Sequence, residues 1–561
     1  MKEESTRAQD LLWRKAGSCV MAVLFVTTLG LNSFEPLVPL RFEVTVAPGR
    51  LDTPQTGRLL LVISSRPEPE PRFILGRPEQ RGVFVFGRDV RAFGPGRRAI
   101  VDDAAIGVPV ERLSQIPAGE YFVQAVFMWN PDIRRPDAPG NLYSRVQRTR
   151  LDPARGGVVR LELTEVIPEE SPPETEYVKF VILRSERLSA FHGRPIVLRA
   201  GVILPRDYDR EPERRYPLRV HIGGYGARST NVLRLMAEGS EFRRVWLADD
   251  TPRMIFLHLD GAGPYGDPYY VNSANNGPYG DALVQELIPY VERKFRAIGA
   301  PEARVLDGGS TGGWVALALQ IFYPDVFNGA WAFCPDSVDF RAFQLINIYE
   351  DENAYVNRYG FERPSARDLQ GDVRFTIRHE CQVENVLGLG DSYTMSGGQW
   401  GAWNAVYGPR GSDGRPVPLW DPKTGVIRRE AVEHWKQYDL RLVLEQNWPT
   451  LGPKLRGKLR IWMGEADDYF LNNAVYLLEE FLARADPPAE ARIVYGPRRG
   501  HCWRGISERQ LMMEMADAIA RAKTRSVDRP PVSMPSLTVR GRSESALRGA
   551  AFNSRRRGEG R

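Results

Sequence analysis

Arg304-Val-Leu-Asp-Gly-Gly-Ser-Thr-Gly-Gly-Trp314 is the most informative segment of this chain. Gly308-x-Ser310-x-Gly312 follows a short apolar segment and leads into a helix predicted from about Gly312 to Tyr323. A serine at such a sharp strand-to-helix turn projects its hydroxyl above the sheet, and only small neighbours avoid a clash there. The helix behind it aims backbone N–H groups and its positive dipole end at the same point. Ser310 is therefore the candidate nucleophile, and Thr311 N–H the first expected donor to a developing oxyanion. The motif alone is weak in a chain with 52 glycines; its place between strand and helix gives it weight.

On the N-terminal side of this turn, Tyr216 to Ile222 and Met254 to Leu259 are largely apolar strands of the kind a sheet covered on both faces requires. Helical spacing runs from Asp281 to Phe295, with Leu283, Leu287, Ile288, Val291 and Phe295 on one side. Strand-like segments recur at Phe327 to Phe333, Lys458 to Met463 and Ala491 to Tyr495, and helix-like ones at Asn472 to Arg484 and Glu508 to Ala522. This alternation predicts an α/β fold with a mostly parallel sheet and helices on both faces. The strand from Tyr216 ends in His221-Ile-Gly-Gly-Tyr-Gly226, where missing side chains let backbone come close. Tyr225 N–H, with Gly224 as the fallback, is expected to complete the oxyanion hole, and His221 reads as a structural residue of the strand end.

A serine nucleophile needs a base and an orienting acid. Gly464-Glu-Ala-Asp467-Asp468 follows a strand and offers two carboxylates; Asp467 is preferred, Asp468 being a capping or solvated acid. His501, in the glycine-flanked loop Gly496-Pro-Arg-Arg-Gly500-His501-Cys502-Trp503, is the only one of six histidines that follows the acid. Cys502 beside it reads as packing beneath the loop.

Between Pro335 and Gly457 the strand and helix rhythm breaks, and so long a segment is expected to form a structured cap. Trp400, Trp403, Tyr393 and Tyr407 lie there as stacking groups for a sugar or aromatic acyl substrate, or as the cap's own core. Tyr265, Tyr269 and Asp336 sit at strand ends near the expected cleft; Tyr265, Asp336, Trp400 and Trp403 are the candidate substrate contacts. Arg378, Lys436 and Arg441 are either exposed or arranged for an acidic or glycan substrate.

Residues 41–170 are β-like, with segments at Phe42 to Val46, Arg58 to Ile63, Gly82 to Phe86, Glu120 to Phe127 and Gly157 to Leu163 separated by Pro, Gly and Asp-rich turns. They predict a small antiparallel sandwich that packs on the next domain and shapes its entrance. Residues 1–40 hold a basic flank at Arg14 and Lys15 and the apolar run Ala16 to Leu31, which reads as a signal peptide or an N-terminal anchor. Export to the periplasm or beyond is expected, with membrane contact only if that segment stays attached. Residues 171–525 form the expected catalytic domain with insertion 335–457, and 526–561 an Arg-rich solvated tail. Four cysteines are too few for a disulfide scaffold and lack metal-ligand spacing; Cys334 and Cys381 are the pair open to bridging in an exported protein. The net charge of +6 comes with scattered arginines and no nucleic-acid module, so no nucleic-acid partner is expected.

At these residues the chain resembles the esterase family of α/β-hydrolases that includes esterase D (S-formylglutathione hydrolase), enterochelin esterases, feruloyl esterases and mycolyltransferases. The marks are Tyr279-Gly-Asp281 before its helix, the Ser310 elbow with Tyr323-Pro324-Asp325-x-Phe327, then Gly464-x-x-Asp467 and Gly500-His501-x-Trp503. The resemblance implies an α/β-hydrolase fold with a large cap or insertion before the acid-bearing strand, Ser310 as nucleophile, Asp467 as acid, His501 as base, and Thr311 and Tyr225 as oxyanion donors. It implies a serine esterase without metal or organic cofactor, acting on a small-molecule or glycan-linked ester. A peptidase of the prolyl-oligopeptidase type uses the same residue order, but its propeller domain is larger than the region before Pro172. A glycan-binding protein with a degenerate hydrolase domain is the non-enzymatic alternative, which the retained Ser310, Asp467 and His501 disfavour.

Overall fold

A computed structural model describes residues 38–527 except 80 and 170. The apolar run Ala16 to Leu31 and most of the Arg-rich tail lie outside the described residues. Among the described residues no helix is long and apolar enough to cross a membrane.

Residues Arg41 to Val166 form one nine-stranded sheet around its own apolar core, which includes Phe42, Leu59, Leu61, Phe86, Val123 and Leu163. The strands expected to form an antiparallel sandwich join instead in this single sheet, and all but one of its pairings are antiparallel. Arg41–Val46 instead runs parallel to Val158–Val166, since the first and last strands lie side by side in the same direction. Strand Gln55–Ser64 explains a run, Leu59 to Ile63, that does not alternate in polarity. Leu59, Leu61 and Ile63 face the domain's core. Leu60 packs on Val383, Val386 and Leu387 of the later insertion, so both faces of this strand are dry. The Arg58 side chain is fully buried in the same seam, donating to the carbonyls of Val386 and Asn385 and to Asp89.

The second domain is built on an eight-stranded sheet: β1 (Val178–Ser185), β2 (Ile196–Ile203), β3 (Leu218–Ile222), β4 (Ile255–Leu259), β5 (Arg304–Gly309), β6 (Ala330–Phe333), β7 (Leu459–Gly464) and β8 (Arg492–Gly496). Their spatial order is 1-2-4-3-5-6-7-8. The pairs β1–β2 and β2–β4 are antiparallel and the rest parallel. β4 is buried at every position, as a strand covered on both faces must be. This is an α/β-hydrolase fold with a cap inserted between β6 and β7, preceded by a β-sheet domain. The helix expected from Asp281 to Phe295 forms as two α-helical pieces, Tyr279–Ala282 and Ile288–Lys294, joined by a π-helical turn at Leu283–Leu287. Pro289 lacks the N–H that would continue the α-helical ladder, and a single wide turn absorbs the mismatch.

Between β6 and β7 lie a hairpin (Pro364–Arg367 with Val373–Thr376) and helices including Ile377–Leu387 and Gln399–Tyr407. Their interior is aromatic: Trp400 meets Trp403 edge-on at 4.9 Å between centroids, Trp403 meets Phe343 at 5.1 Å, and Tyr407 meets Trp435 at 5.1 Å.

The cysteine expectation is corrected. Cys334 is bonded to Cys502, not to Cys381, and Cys502 is therefore more than packing. Cys334 directly follows β6 and Cys502 follows β8, so the sheet brings their Cα atoms to 4.9 Å although 168 residues separate them. Cys381 is a buried free thiol on the insertion helix Ile377–Leu387.

Candidate active site

Ser310 leaves β5 with φ 57° and ψ −125°, a strained left-handed backbone, and helix Thr311–Phe322 begins at the next residue. The flanking glycines are steric necessities. A Cβ on Gly312 would lie 2.0 Å from the Ile222 carbonyl oxygen, and one on Gly308 2.4 Å from that of Gly312. The Ser310 N–H donates to the Phe333 carbonyl at 2.9 Å and points toward Cys334 Sγ at 3.3 Å, fixing the turn against β6.

His501 Nε2 lies 3.1 Å from Ser310 Oγ, and His501 Nδ1 lies 2.8 Å from Asp467 Oδ2. Asp467 is fully buried, and its Oδ1 accepts the N–H groups of Tyr469 and Leu471 at 3.0 and 3.2 Å. Asp468 acts on the backbone instead. Its Oδ1 accepts the His501 backbone N–H at 2.9 Å and so holds the loop rather than the ring. The Tyr469 ring packs edge-on to the imidazole at 4.9 Å. Burial pushes the His501 pKa down, but the hydrogen bond and charge of Asp467, with Asp336 and Asp468 beyond it, outweigh this and raise it above the ordinary value.

The glycine loop after β3 comes as close as its sequence suggests. A Cβ on Gly224 would sit 3.9 Å from Ser310 Cβ. The loop is closed by Ala227 N–H on the Gly224 carbonyl at 3.0 Å. The Tyr225 hydroxyl donates to the Gly397 carbonyl at 2.6 Å, and Gly226 N–H to Asp267 Oδ2 at 3.1 Å. Arg135, from the first domain, donates to the Gly226 carbonyl at 3.1 Å. Thr311 N–H lies in the first turn of its helix, where no intrahelical acceptor exists. His221 bonds Asp307 at 2.9 Å, and Asp307 is gripped twice by Arg219 at 2.8 Å, a buried cluster below the elbow.

A cavity of about 160 Å³ opens beside Ser310 and His501, lined by Tyr225, Asp336, Gln344, Glu380, Gln399, Trp403, Tyr469 and Leu471. Of the candidate substrate contacts, Asp336 and Trp403 line it. Trp400 packs behind, its indole N–H donating to Glu380 at 2.8 Å. Tyr265 lies half-buried on the loop after β4 and is not a lining residue. Asp336 Oδ2 accepts from Tyr269 at 2.8 Å, from Thr311 Oγ1 and the Trp403 indole at 3.1 Å, and from Gln399 at 3.4 Å. Its Oδ1 stands 3.4 Å from Ser310 Oγ. Burial raises the Asp336 pKa against the pull of these donors.

Arg378, Lys436 and Arg441 are paired with Glu362, Glu433 and Asp339, and none of them lines the cavity. Sequence reasoning missed Gln344, Glu380, Gln399, Tyr469 and Leu471. Gln399 carried a signal by adjoining the aromatic pair, and Tyr469 by adjoining Asp467 and Asp468.

Residues 197–482 match the family model described as "Putative esterase". Among solved structures, a ferulic acid esterase is similar at 14% identity and a TM-score of 0.37, covering 62% of this chain and 97% of its own. The fluorophosphonate-binding serine hydrolase F (FphF) of Staphylococcus aureus aligns at 13% identity and 0.37, covering 61% and 98%. An S-formylglutathione hydrolase from Agrobacterium tumefaciens aligns at 13% and 0.31, covering 64% and 97%. No curated protein matches the sequence.

Proposed function

We propose, since this chain belongs to the esterase family of α/β-hydrolases, that it is a serine esterase cleaving a carboxylic ester through an acyl-serine intermediate. The observation that carries the reading is the row Ser310 Oγ, His501 Nε2, His501 Nδ1 and Asp467 Oδ2, linked at 3.1 and 2.8 Å. In the proposed reaction Ser310 Oγ attacks the acyl carbon while its proton passes to His501 Nε2. Asp467 holds Nδ1–H and stabilises the imidazolium. The carbonyl oxygen becomes an oxyanion facing the N–H groups of Thr311 and Tyr225. Collapse breaks the bond to the alcohol oxygen, which leaves with the proton from His501. Water, deprotonated by the same imidazole, then releases the acid and restores Ser310.

A sugar-linked or aromatic acyl ester is the finer substrate proposal, supported by the aromatic and amide groups around the cavity. The test is labelling by a fluorophosphonate probe in competition with candidate esters, comparing wild type with Ser310→Ala. Labelling of the wild type, protection by an ester substrate, and loss of both labelling and turnover in a folded Ser310→Ala are expected. A folded wild type that resists the probe and turns over no ester would end the reading.

A further inference from the structure

We propose that the cavity beside Ser310 selects esters bearing a cationic group, a substituted ammonium, close to the scissile bond. The inference rests on the esterase reading and names its substrate class.

Asp267, Asp336, Glu380 and Glu384 cluster behind the oxyanion loop and the cavity wall, and burial raises the pKa of each, Asp267 to about 6 and Glu384 to about 8. Among the described residues none of the four forms an ion pair, whereas the buried Asp307 and Asp339 are matched by Arg219 and Arg441. A buried carboxylate without a cation is costly and tends to take up a proton, so it ionises in place only where another interaction, such as a bound cation, compensates the charge.

Two of the four are fully used inside the protein. Glu384 accepts the N–H groups of Trp400 and Gly401 at 2.9 and 3.0 Å and the Ser396 hydroxyl at 2.7 Å. Asp267 accepts those of Gly226 and Tyr269 at 3.1 and 3.0 Å. Neither faces the ligand, and Glu384, its pKa raised to about 8, is mostly protonated at neutral pH and adds no charge of its own. Asp336 and Glu380 line the cavity. The Oδ2 atom of Asp336 is crowded with donors, while Oδ1 has only Ser310 Oγ, at 3.4 Å. Glu380 Oε2 takes the Ser365 hydroxyl at 2.5 Å and the Trp400 indole, and its other oxygen has no protein donor. Each carboxylate thus keeps one oxygen for what enters the cavity.

The remaining wall agrees. Trp403, Tyr469 and Tyr225 supply aromatic surface, which attracts cations. No lysine or arginine lines the space. An ammonium there meets two carboxylates and aromatic rings, a carboxylate-bearing ester meets like charge, and a neutral isostere leaves the buried carboxylates uncompensated.

The test compares kcat/KM within isosteric pairs: acetylcholine against 3,3-dimethylbutyl acetate for the alcohol side, and methyl 4-(trimethylammonio)butanoate against methyl 5,5-dimethylhexanoate for the acyl side. Monomethyl glutarate supplies the anion and glycerol monoacetate an uncharged hydrogen-bond donor. In at least one pair the cation is expected to win by about tenfold or more, the anion being the poorest substrate. That ratio should fall toward one in Glu380→Gln and, separately, in Asp336→Asn. Fluorophosphonate labelling reports in each protein whether Ser310 still reacts. Neutral esters equal to or better than their cationic partners in both pairs, or glycerol monoacetate preferred to every cation, with labelling intact, overturn the proposal. Loss of labelling and of all ester turnover in the wild type would instead remove the esterase reading beneath it.

Discussion

Replacing Arg135 by alanine tests whether the first domain helps to build the oxyanion site. Arg135 lies on a loop whose neighbour Arg134 is pinned to the second domain, by its N–H on the Gly263 carbonyl at 3.0 Å and its Nε on the Met395 carbonyl at 3.1 Å. The Arg135 guanidinium is held by Asp137 at 2.8 and 3.0 Å and donates to the Gly226 carbonyl at 3.1 Å. Gly226 has φ +66° and adjoins Tyr225, the proposed donor, so the turn has three pins from outside: Asp267 on the Gly226 N–H, Arg135 on its carbonyl and the Tyr225 hydroxyl on the Gly397 carbonyl. A hydrogen bond from a charged group contributes about 1.5 to 3 kcal/mol when buried. The Arg135 side chain is 31% exposed, which brings the expected stability loss to about 1 kcal/mol. A whole oxyanion donor is worth roughly 3 kcal/mol in the barrier. Loosening one of three pins should forfeit about a third of that, or roughly fivefold in kcat. Steady-state kinetics on a short neutral ester should show the fall in kcat with KM nearly unchanged. Affinity for a phenylboronic acid, which mimics the tetrahedral intermediate, should weaken in step with kcat/KM. A purely structural contact would lower Tm yet leave kcat intact well below the transition. That outcome, in a folded Arg135→Ala protein, would refute the reasoning.

Three further outcomes follow from the same geometry. His501 must be neutral to accept the Ser310 proton, so kcat/KM should rise with pH through a midpoint above the ordinary histidine value, and a midpoint below about 6.5 would contradict the raised pKa. Stability runs the other way: the pairing of charged His501 with Asp467 stabilises the fold fully below about pH 6.5 and is lost as pH rises through the folded-state pKa, which denaturant titrations across that window should register. Cys502→Ser removes a bond that ties the residue beside His501 to the end of β6, where Cys334 Sγ faces the Ser310 N–H. It should cost about 2 to 5 kcal/mol in unfolding free energy and lower kcat by loosening the histidine loop, and dithiothreitol should reproduce both effects in the wild type; unchanged kinetics would show the loop to be held by Asp468 alone.

The parts of the site legible in the sequence share one property: each is announced by its own neighbours. Ser310, Asp467 and His501 each follow a strand with a glycine within three residues before them, so a few residues of context place each of them above the sheet's carboxyl edge. The cavity wall has no such signal. Glu380 sits on a helix with ordinary helical neighbours, and Gln344 in a loop before the hairpin; both reach Ser310 because the cap folds over it. Trp400 and Trp403 stand three residues apart on one helix, and their sequence context does not separate core from contact. One helical turn separates an indole that faces the cavity and bonds Asp336 from one that bonds Glu380 behind it.

The same distinction explains why the first domain reads clearly as β-structure while its part in the site does not read at all. Alternation of polarity reports burial within a few residues, but the run Leu59 to Ile63 does not alternate, so the sequence marks it as a strand without saying that Leu59, Leu61 and Ile63 are the ones that face the domain's core. Leu60 and Arg58 break that pattern for a reason located more than 300 residues downstream, on the helix Ile377–Leu387. The adjoining face of that helix carries Glu380 to the cavity and Glu384 to the start of the helix bearing Trp400 and Trp403. Arg58 and Leu60 therefore act on the cavity wall through a single helix, and Arg135 acts on the oxyanion loop directly. An arginine at the head of an unbroken apolar run is the one local anomaly in the sequence that points to this contact, and reading it requires the partner that only the folded chain supplies.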